Sequence, residues 1–404
     1  MTLPTPTPTL EDRGPAGGET VADVIRPLLA VLVRPGAPIR FEFWDGSWSG
    51  PDMAEATLRL SSADALRRIL WMPTELGLGR AYVAGDLELE GDAFRTIEAL
   101  RDHGTLDPRA AWRTVPAAVS AARRLGALGS PLPPPDEEAR LGRWRDGRRH
   151  SVNRDARAVA HHYDVGNDFY RLVLGPTMTY SCARFVDPSS SLEAAQDAKH
   201  ELVCRKLGLH ERPGLRLLDI GCGWGSMAIH AARHHGAHVV GVTISAEQAE
   251  LARARVAAAG VADRVEIRLQ DYRDVAGETF DVVSSIGMSE HVGRRHMQEY
   301  FDGIRNVLCS GGRLLNHAIS SVGGSRMGRN SFVGRYVFPD GELVDVGEVV
   351  LAMERAGFEV RDVESLREHY ARTLRQWVHN LEGDWDRAVE MVGAARARVW
   401  RLYM

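Results

Sequence analysis

The segment Leu217-Leu218-Asp219-Ile220-Gly221-Cys222-Gly223-Trp224-Gly225 runs from an apolar, strand-like stretch into three glycines at alternate positions, then into a helix-like stretch. Glycine permits a tight turn and leaves no side chain between the backbone and a ligand. Such a turn at the carboxyl end of a strand lies where doubly wound sheets bind their ligands. The spacing is G-x-G-x-G, which misses the dinucleotide fingerprint G-x-G-x-x-G because Ser226 takes the place of the last glycine. That shorter spacing, with the acid Asp219 just before it, favours S-adenosyl-L-methionine over NAD, with Asp219, Gly221, Gly223 and Gly225 as cofactor contacts. A glycine turn needed only for packing is the plain alternative.

Strand-like and helix-like runs alternate beyond residue 155: Leu215 to Ile220, Met227 to His235, His238 to Thr243, Ala246 to Ala259, Val265 to Leu269, Phe280 to Ser285 and Arg313 to Ile319. This alternation predicts a parallel sheet covered by helices on both faces, an α/β, doubly wound, Rossmann-like domain over residues 151–404. A chain of 404 residues leaves room for a second domain. Residues 1–20, rich in Pro, Thr and Gly, read as a disordered leader. Residues 21–130 read as a smaller N-terminal α+β domain, with a helix over Val21 to Val33, a strand over Ile39 to Phe43, a turn at Asp45-Gly46 and a helix over Ser62 to Leu70. A proline run and then dense charge make 131–150 a linker.

Two more segments fall where such a sheet needs them. After the second strand of the alternation, Thr243 and Gln248 stand within reach of the ribose and amino-acid portions of a cofactor, and Ser245 reads as the N-cap of the next helix. After the third, Gln270, Asp271 and Tyr272 offer an amide, a carboxylate and an aromatic face near the adenine position, with Asp271 accepting from the adenine amino group. Capping alone would account for Ser245, and an exposed loop acid for Asp271.

With a net charge of -4, nothing global points to a nucleic-acid partner. Cys182, Cys204, Cys222 and Cys309 are widely spaced, without a C-x-x-C pair or a Cys/His cluster at zinc spacing, so neither a disulfide framework nor a metal is expected. The N-terminus lacks the pattern of a signal peptide, and no stretch has the length and apolarity of a membrane span. A cytoplasmic protein is expected. Val399 to Met404 end within a helix-like run without a stop signal, which reads as a truncation.

Several motifs in order resemble the cyclopropane-fatty-acid synthases and their mycolic-acid-modifying relatives. They are His162-Tyr163-Asp164-Val165-Gly166-Asn167-Asp168-Phe169-Tyr170, Met178-Thr179-Tyr180-Ser181-Cys182, the glycine turn, Leu269 to Asp274, Gly287-Met288-Ser289-Glu290-His291-Val292-Gly293, Arg335 to Gly341 and Glu368 to Leu374. The resemblance implies a class I methyltransferase fold and adds Tyr180 and Ser181 to the cofactor contacts. It further implies a bound bicarbonate acting as base, held by Cys182, Glu290, His317 and Tyr370 with the backbone at Ile319. Taken singly, these residues have blander readings: a small buried hydrophobe, a helix N-terminal acid, a core histidine and a half-buried aromatic.

The implied reaction is methyl transfer to the double bond of an unsaturated acyl chain of a phospholipid, closing a cyclopropane ring. An isolated alkene has no acidic proton, so alignment in a dry pocket comes first, and negative charge and aromatic faces then shelter a carbocation. The same cation could instead yield a methylene-branched chain, which a reductase partner would reduce; Phe43-Trp44-Asp45-Gly46-Ser47 resembles actinobacterial members of the superfamily, some of which make methylene-branched lipids. A non-catalytic lipid- or cofactor-binding module is a third reading, and the intact Cys182, Glu290, His317 and Tyr370 argue against it. A lipid substrate implies peripheral contact with the inner face of the cell membrane. Trp112, Val115, Val119 and Leu125, with arginines between Arg140 and Arg157, are the candidate docking stretch; a solvated helix with a charged linker is its alternative. A homodimer is compatible with all of this.

Overall fold

The computed structural model describes residues 18–34, 36–103, 116–117, 119–139, 165–323, 328, 330–339 and 341–404. They fall into two compact units, residues 1–138 with 394–403 and residues 139–393 with 404. The sequence reading grouped 394–403 with the C-terminal domain. In the structure the helix Ala394–Tyr403 belongs to the first unit: Arg398 donates to the Tyr82 carbonyl and pairs with Glu88, and Arg401 donates to the Tyr82 hydroxyl at 3.0 Å.

The first unit contains α1 (Val21–Leu32), β1 (Ile39–Glu42), β2 (Trp48–Ser49), β3 (Ala56–Leu60), α2 (Ala63–Trp71), α3 (Glu75–Ala84), β4 (Leu87–Glu90) and α4 (Ala93–His103). The strands form one sheet in the order β2-β1-β3-β4, with β1 and β3 parallel and the other pairs antiparallel. Apolar residues alternate along β3, so Ala56, Leu58 and Leu60 enter the core with Ile25, Ile39 and Phe43. The turn Phe43 to Ser47 has a structural task. Asp45 Oδ2 accepts from the Val21 amide at 2.8 Å and Ser47 Oγ from the Ala22 amide at 3.1 Å, which satisfies two free N–H groups at the start of α1. Of the candidate docking stretch, Leu125 packs on this core and Val119 is exposed, while Trp112, Val115 and the arginines of 140–157 lie outside the described residues, as do His162, Tyr163 and Asp164.

The second unit is built from α5 (Asn167–Leu174), α6 (Leu192–Leu207), β5 (Arg216–Ile220), α7 (Ser226–His235), β6 (His238–Thr243), α8 (Ala246–Ala258), β7 (Val265–Leu269), β8 (Phe280–Ile286), α9 (Ser289–Val292), α10 (Met297–Val307), β9 (Leu308–His317), α11 (Val346–Arg355) and α12 (Arg367–Gly383), with shorter pieces between. Its main sheet runs β7-β6-β5-β8-β9, with every pairing parallel. Chain order reverses direction beside β5, and the ligand crevice of an open α/β sheet opens at such a switch point. Strand pleating sends Leu217, Val239 and Val282 to one face, where α6, α7 and α8 supply Val203, Met227 and Ala252. It sends Leu218, Val240 and Val283 to the other, where α10 supplies Tyr300, Phe301 and Ile304. This is the parallel, doubly wound α/β sheet with helices on both faces that the alternation predicts. Among the described residues no helix is long and apolar enough to cross a membrane.

Candidate active site

At the end of β5 the chain turns sharply. Gly221, Gly223 and Gly225 all take positive φ (73°, 53° and 81°), a region that costs a residue with a Cβ. The amides of Gly221 and Cys222 both donate to the Val242 carbonyl at 3.0 Å, pinning the turn to β6, and Gly225 caps α7. A Cβ on Gly223 would meet nothing within 4 Å, whereas one on Gly221 would lie 3.3 Å from Met288 Sδ. The turn is therefore open above Gly223 and walled at Gly221 by Met288, which leads into the helix α9 that carries Glu290.

Asp219, buried beneath the turn, faces Ser284 across the β5/β8 register and accepts from its Oγ at 2.7 Å. Burial pushes the Asp219 carboxyl up, against the Ser284 bond and the positive charge of Lys199. Lys199 is buried on α6 and donates from Nζ to Ser181 Oγ at 3.1 Å. Its own ammonium is pushed down by burial and drawn back by Asp219 and Cys182. One turn earlier, Gln196 Nε2 donates to the Ser181 carbonyl at 2.9 Å. The segment Thr177 to Cys182 is thus held from α6, and also from the start of α7 and from α8, because Ser226 Oγ (2.5 Å) and Arg255 Nη2 (2.8 Å) donate to the Thr177 carbonyl. Met178 in this segment has φ 51°, backbone strain of the sort that gathers at functional sites.

The sequence-predicted reactive residues assemble in two groups. In the first, Ile319 N donates to Glu290 Oε1 at 2.8 Å, and Glu290 Oε2 is buried without a hydrogen-bond partner. Burial raises the Glu290 carboxyl. His317 joins this group through the backbone: it sits opposite Ile286 in the β8/β9 register, and its carbonyl accepts from Gly287 N at 2.8 Å. Burial lowers the His317 imidazole to about 4. In the second group Cys182 Sγ lies 3.1 Å from the Ala183 carbonyl and 3.6 Å from the Leu366 carbonyl, and Leu366 is one turn before Tyr370 on α12. Burial raises the Cys182 thiol to about 12. Lys199, whose charge bears on both Cys182 and His317, links the two groups.

An aromatic wall lines the same region. Tyr170 meets Tyr180 at 5.6 Å and Trp224 at 4.8 Å, Trp377 meets Tyr180 at 5.4 Å, and Tyr370 stands edge-on to Trp377 at 6.2 Å.

The other predicted cofactor residues are placed as follows. Ser245 is the N-cap of α8, its Oγ accepting from Gln248 N at 3.2 Å. Thr243 and Gln248 are buried, and their side chains satisfy each other, with Thr243 Oγ1 donating to Gln248 Oε1 at 2.8 Å. Gln270 donates to the Asp274 carbonyl at 3.0 Å, and Tyr272 stands edge-on to Tyr300 at 5.1 Å. Asp271 holds Arg273 with both oxygens; burial raises its carboxyl, but the Arg273 hydrogen bonds outweigh that and keep it below the usual value.

Sequence reasoning missed Lys199, Gln196 and Ser284. A signal was present on α6, where Gln196, Lys199 and His200 interrupt the buried stripe of Leu192, Ala195, Val203, Cys204 and Leu207. Polar residues inside an apolar helical stripe need partners, and long charged ones are rarely buried without them.

Residues 150–404 match the family model described as mycolic acid cyclopropane synthetase. The chain is 44% identical over 378 residues to a probable fatty acid methyltransferase of Mycobacterium tuberculosis, covering 91% of this chain and 86% of the relative. It is 37% identical over 243 residues to the cyclopropane-fatty-acyl-phospholipid synthase of Escherichia coli strain K12, covering 60% of this chain and 61% of the relative. Among solved structures, a mycolic acid cyclopropane synthase complexed with SAH and CTAB superimposes with a TM-score of 0.57 at 32% identity, covering 61% of this chain and 90% of that one.

Proposed function

This chain belongs to the mycolic acid cyclopropane synthetase family and is an S-adenosylmethionine-dependent methyltransferase, and from that premise we propose that it methylates the double bond of an unsaturated acyl chain of a phospholipid and closes a cyclopropane ring. The observation that carries the reading is the recessed Glu290 carboxyl, one oxygen fixed by Ile319 N and the other buried without a hydrogen-bond partner, on the short helix α9 that follows Met288, the residue abutting the glycine turn.

When bound, S-adenosylmethionine supplies an electrophilic methyl to the alkene, leaving a carbocation that closes to the ring on losing a proton from that methyl. Gly221 to Gly225 offer the open backbone against which the cofactor rests. Tyr180, partly exposed, is backed by the buried rings of Tyr170, Trp224 and Trp377, an aromatic cluster that keeps water out and favours a cation at its open edge through the ring quadrupole. Glu290 places negative charge beside the cation, and because burial raises its carboxyl it can also take up a proton. The bicarbonate implied by resemblance meets donors already engaged: the Ile319 N–H serves Glu290, and the Cys182 thiol is directed at two carbonyls. His317 and Tyr370 remain as its candidate holders, and no step depends on it here.

A second reading starts from the same cation and ends in a methylene-branched product; the name of the relative matched over 91% of the chain, a fatty acid methyltransferase, fits either product. Incubation with labelled S-adenosylmethionine and unsaturated phospholipid, followed by fragmentation of the labelled acyl product, tests both. A ring supports the first reading, a methylene the second, and absence of acyl label refutes the proposal.

A further inference from the structure

Behind the sheet, away from the glycine turn, α6 and α7 face each other with a concentration of metal-ligating side chains that the methyltransferase chemistry does not use. On α6, Asp197, His200, Glu201 and Cys204 recur at i, i+3, i+4 and i+7, which is one helical face. On α7, His230 and His234 are one turn apart, and His235 ends the helix. Cys204 Sγ and ring nitrogens of His230 and His235 lie within 4.8 Å of one another. Glu201 Oε2 stands 2.9 Å from His235 Nε2 and 3.7 Å from His230 Nε2. His230 Nε2 is itself buried and has no hydrogen-bond partner.

The geometry points to a zinc site formed by Cys204, His230, His235 and Glu201 that staples α6 to α7. One thiolate, two imidazoles and a carboxylate make the mixed soft and borderline set that suits zinc rather than magnesium or calcium. Ligands of one tetrahedral zinc stand roughly 3.3–3.8 Å apart, given bonds of about 2.0–2.3 Å, so side-chain adjustments of about 1 Å would bring Cys204, His230 and His235 onto one ion, and Glu201, in contact with both histidines, is the carboxylate placed to swing in as the fourth ligand. Cys204 is fully buried at the base, while Glu201 keeps 34% of its side chain exposed and offers an entry path. Without metal, the Glu201–His235 bond and the Glu201–Arg205 pair account for Glu201 but leave His230 Nε2 unsatisfied. A second triad, Asp197, His200 and His230, shares the last residue but contains no thiol. The placement gives such a site consequence, because α6 carries Lys199 beneath the cofactor turn and α7 begins directly after that turn.

The test uses the full chain stripped with a chelator and titrated with cobalt(II), then zinc(II) in competition. One equivalent of cobalt should bind in a tetrahedral site with a thiolate-to-cobalt charge-transfer band, and Cys204→Ser should lose that band. His235→Gln and His230→Gln should each weaken zinc by at least about 10²-fold, the upper end of what even outer-shell changes cost. His200→Gln should leave zinc affinity unchanged. Zinc should raise the melting temperature of the wild type and not of His235→Gln. Circular dichroism and S-adenosylmethionine binding, measured on the same samples, establish that each variant is folded. Failure of the wild type to take up one equivalent, zinc affinity unchanged in both folded His230→Gln and His235→Gln, or a charge-transfer band persisting in Cys204→Ser would overturn the assignment.

Discussion

The amide of Ile319 donates to Glu290 Oε1 across 2.8 Å, so the loop after β9 fixes the orientation of a carboxyl carried by α9, the short helix that follows β8. Its other oxygen is buried and unpartnered. Glu290→Gln keeps the shape and the Ile319 bond while removing the charge and the capacity to accept a proton. We expect S-adenosylmethionine affinity to be retained and kcat to fall by about 10²-fold or more. Combining it with His317→Ala should cost much less than the product of the single losses if both act on one bound species. Near wild-type turnover in Glu290→Gln would refute this role. Stripping and restoring bicarbonate in both enzymes reads whether an anion shares the proton transfer: dependence in the wild type that is altered in the variant supports it, and indifference in both removes bicarbonate from the scheme.

Gly223 combines φ 53° with open space around its missing Cβ. Gly223→Val should fill the place where the cofactor rests and abolish S-adenosylmethionine binding by calorimetry. Gly223→Ala, less strained, should weaken it while leaving the melt near that of the wild type. Unchanged affinity in folded variants would move the cofactor elsewhere.

Lys199 supplies positive charge to a buried site that also holds Asp219. Lys199→Met should destabilise the protein by about 3 kcal/mol in denaturant titration, the scale of leaving a buried charge uncompensated. Adding Asp219→Asn should recover part of that loss, because the second change removes the charge left behind. Strict additivity would show that the two groups do not communicate.

The His317 imidazole is held near 4, below the ordinary 6.5, chiefly by burial. Between those values the unfolded chain binds a proton that the native protein refuses, so this contribution to stability is present above about 6.5 and is lost as pH falls toward 4. Asp219, raised by burial to about 6 from 3.8, acts in the opposite sense, its contribution lost as pH rises through that window. Thermal melts across the window, in chelator, should therefore show a shallower loss on acidification for His317→Asn than for the wild type. Parallel curves would contradict the assignment.

Membrane docking rests on sequence charge alone. Replacing Arg143, Arg145, Arg148 and Arg149 with Gln should weaken co-sedimentation with anionic vesicles by about 1 kcal/mol per charge lost near the surface. Wild-type binding that ignores both salt and anionic lipid would sink the idea.

Local sequence was enough to specify the parallel α/β sheet and the position of the glycine turn. Both are local signals: an apolar run of strand length, glycines where positive φ is needed, and a following helix. The family resemblance carried by the motifs pointed to Glu290, His317, Cys182 and Tyr370 as site residues. Tertiary structure alone decided what those residues touch. The Thr243–Gln248 bond, the commitment of Ile319 N to Glu290 and the Lys199 bond to Ser181 depend on how loops and helices close over the sheet. Cys204 lies 26 residues before His230, outside any local zinc spacing, and only the packing of α6 on α7 places them in one group. Backbone conformation is written in neighbours along the chain, whereas side-chain chemistry is written in neighbours in space, which helix and strand periodicity constrain but packing selects.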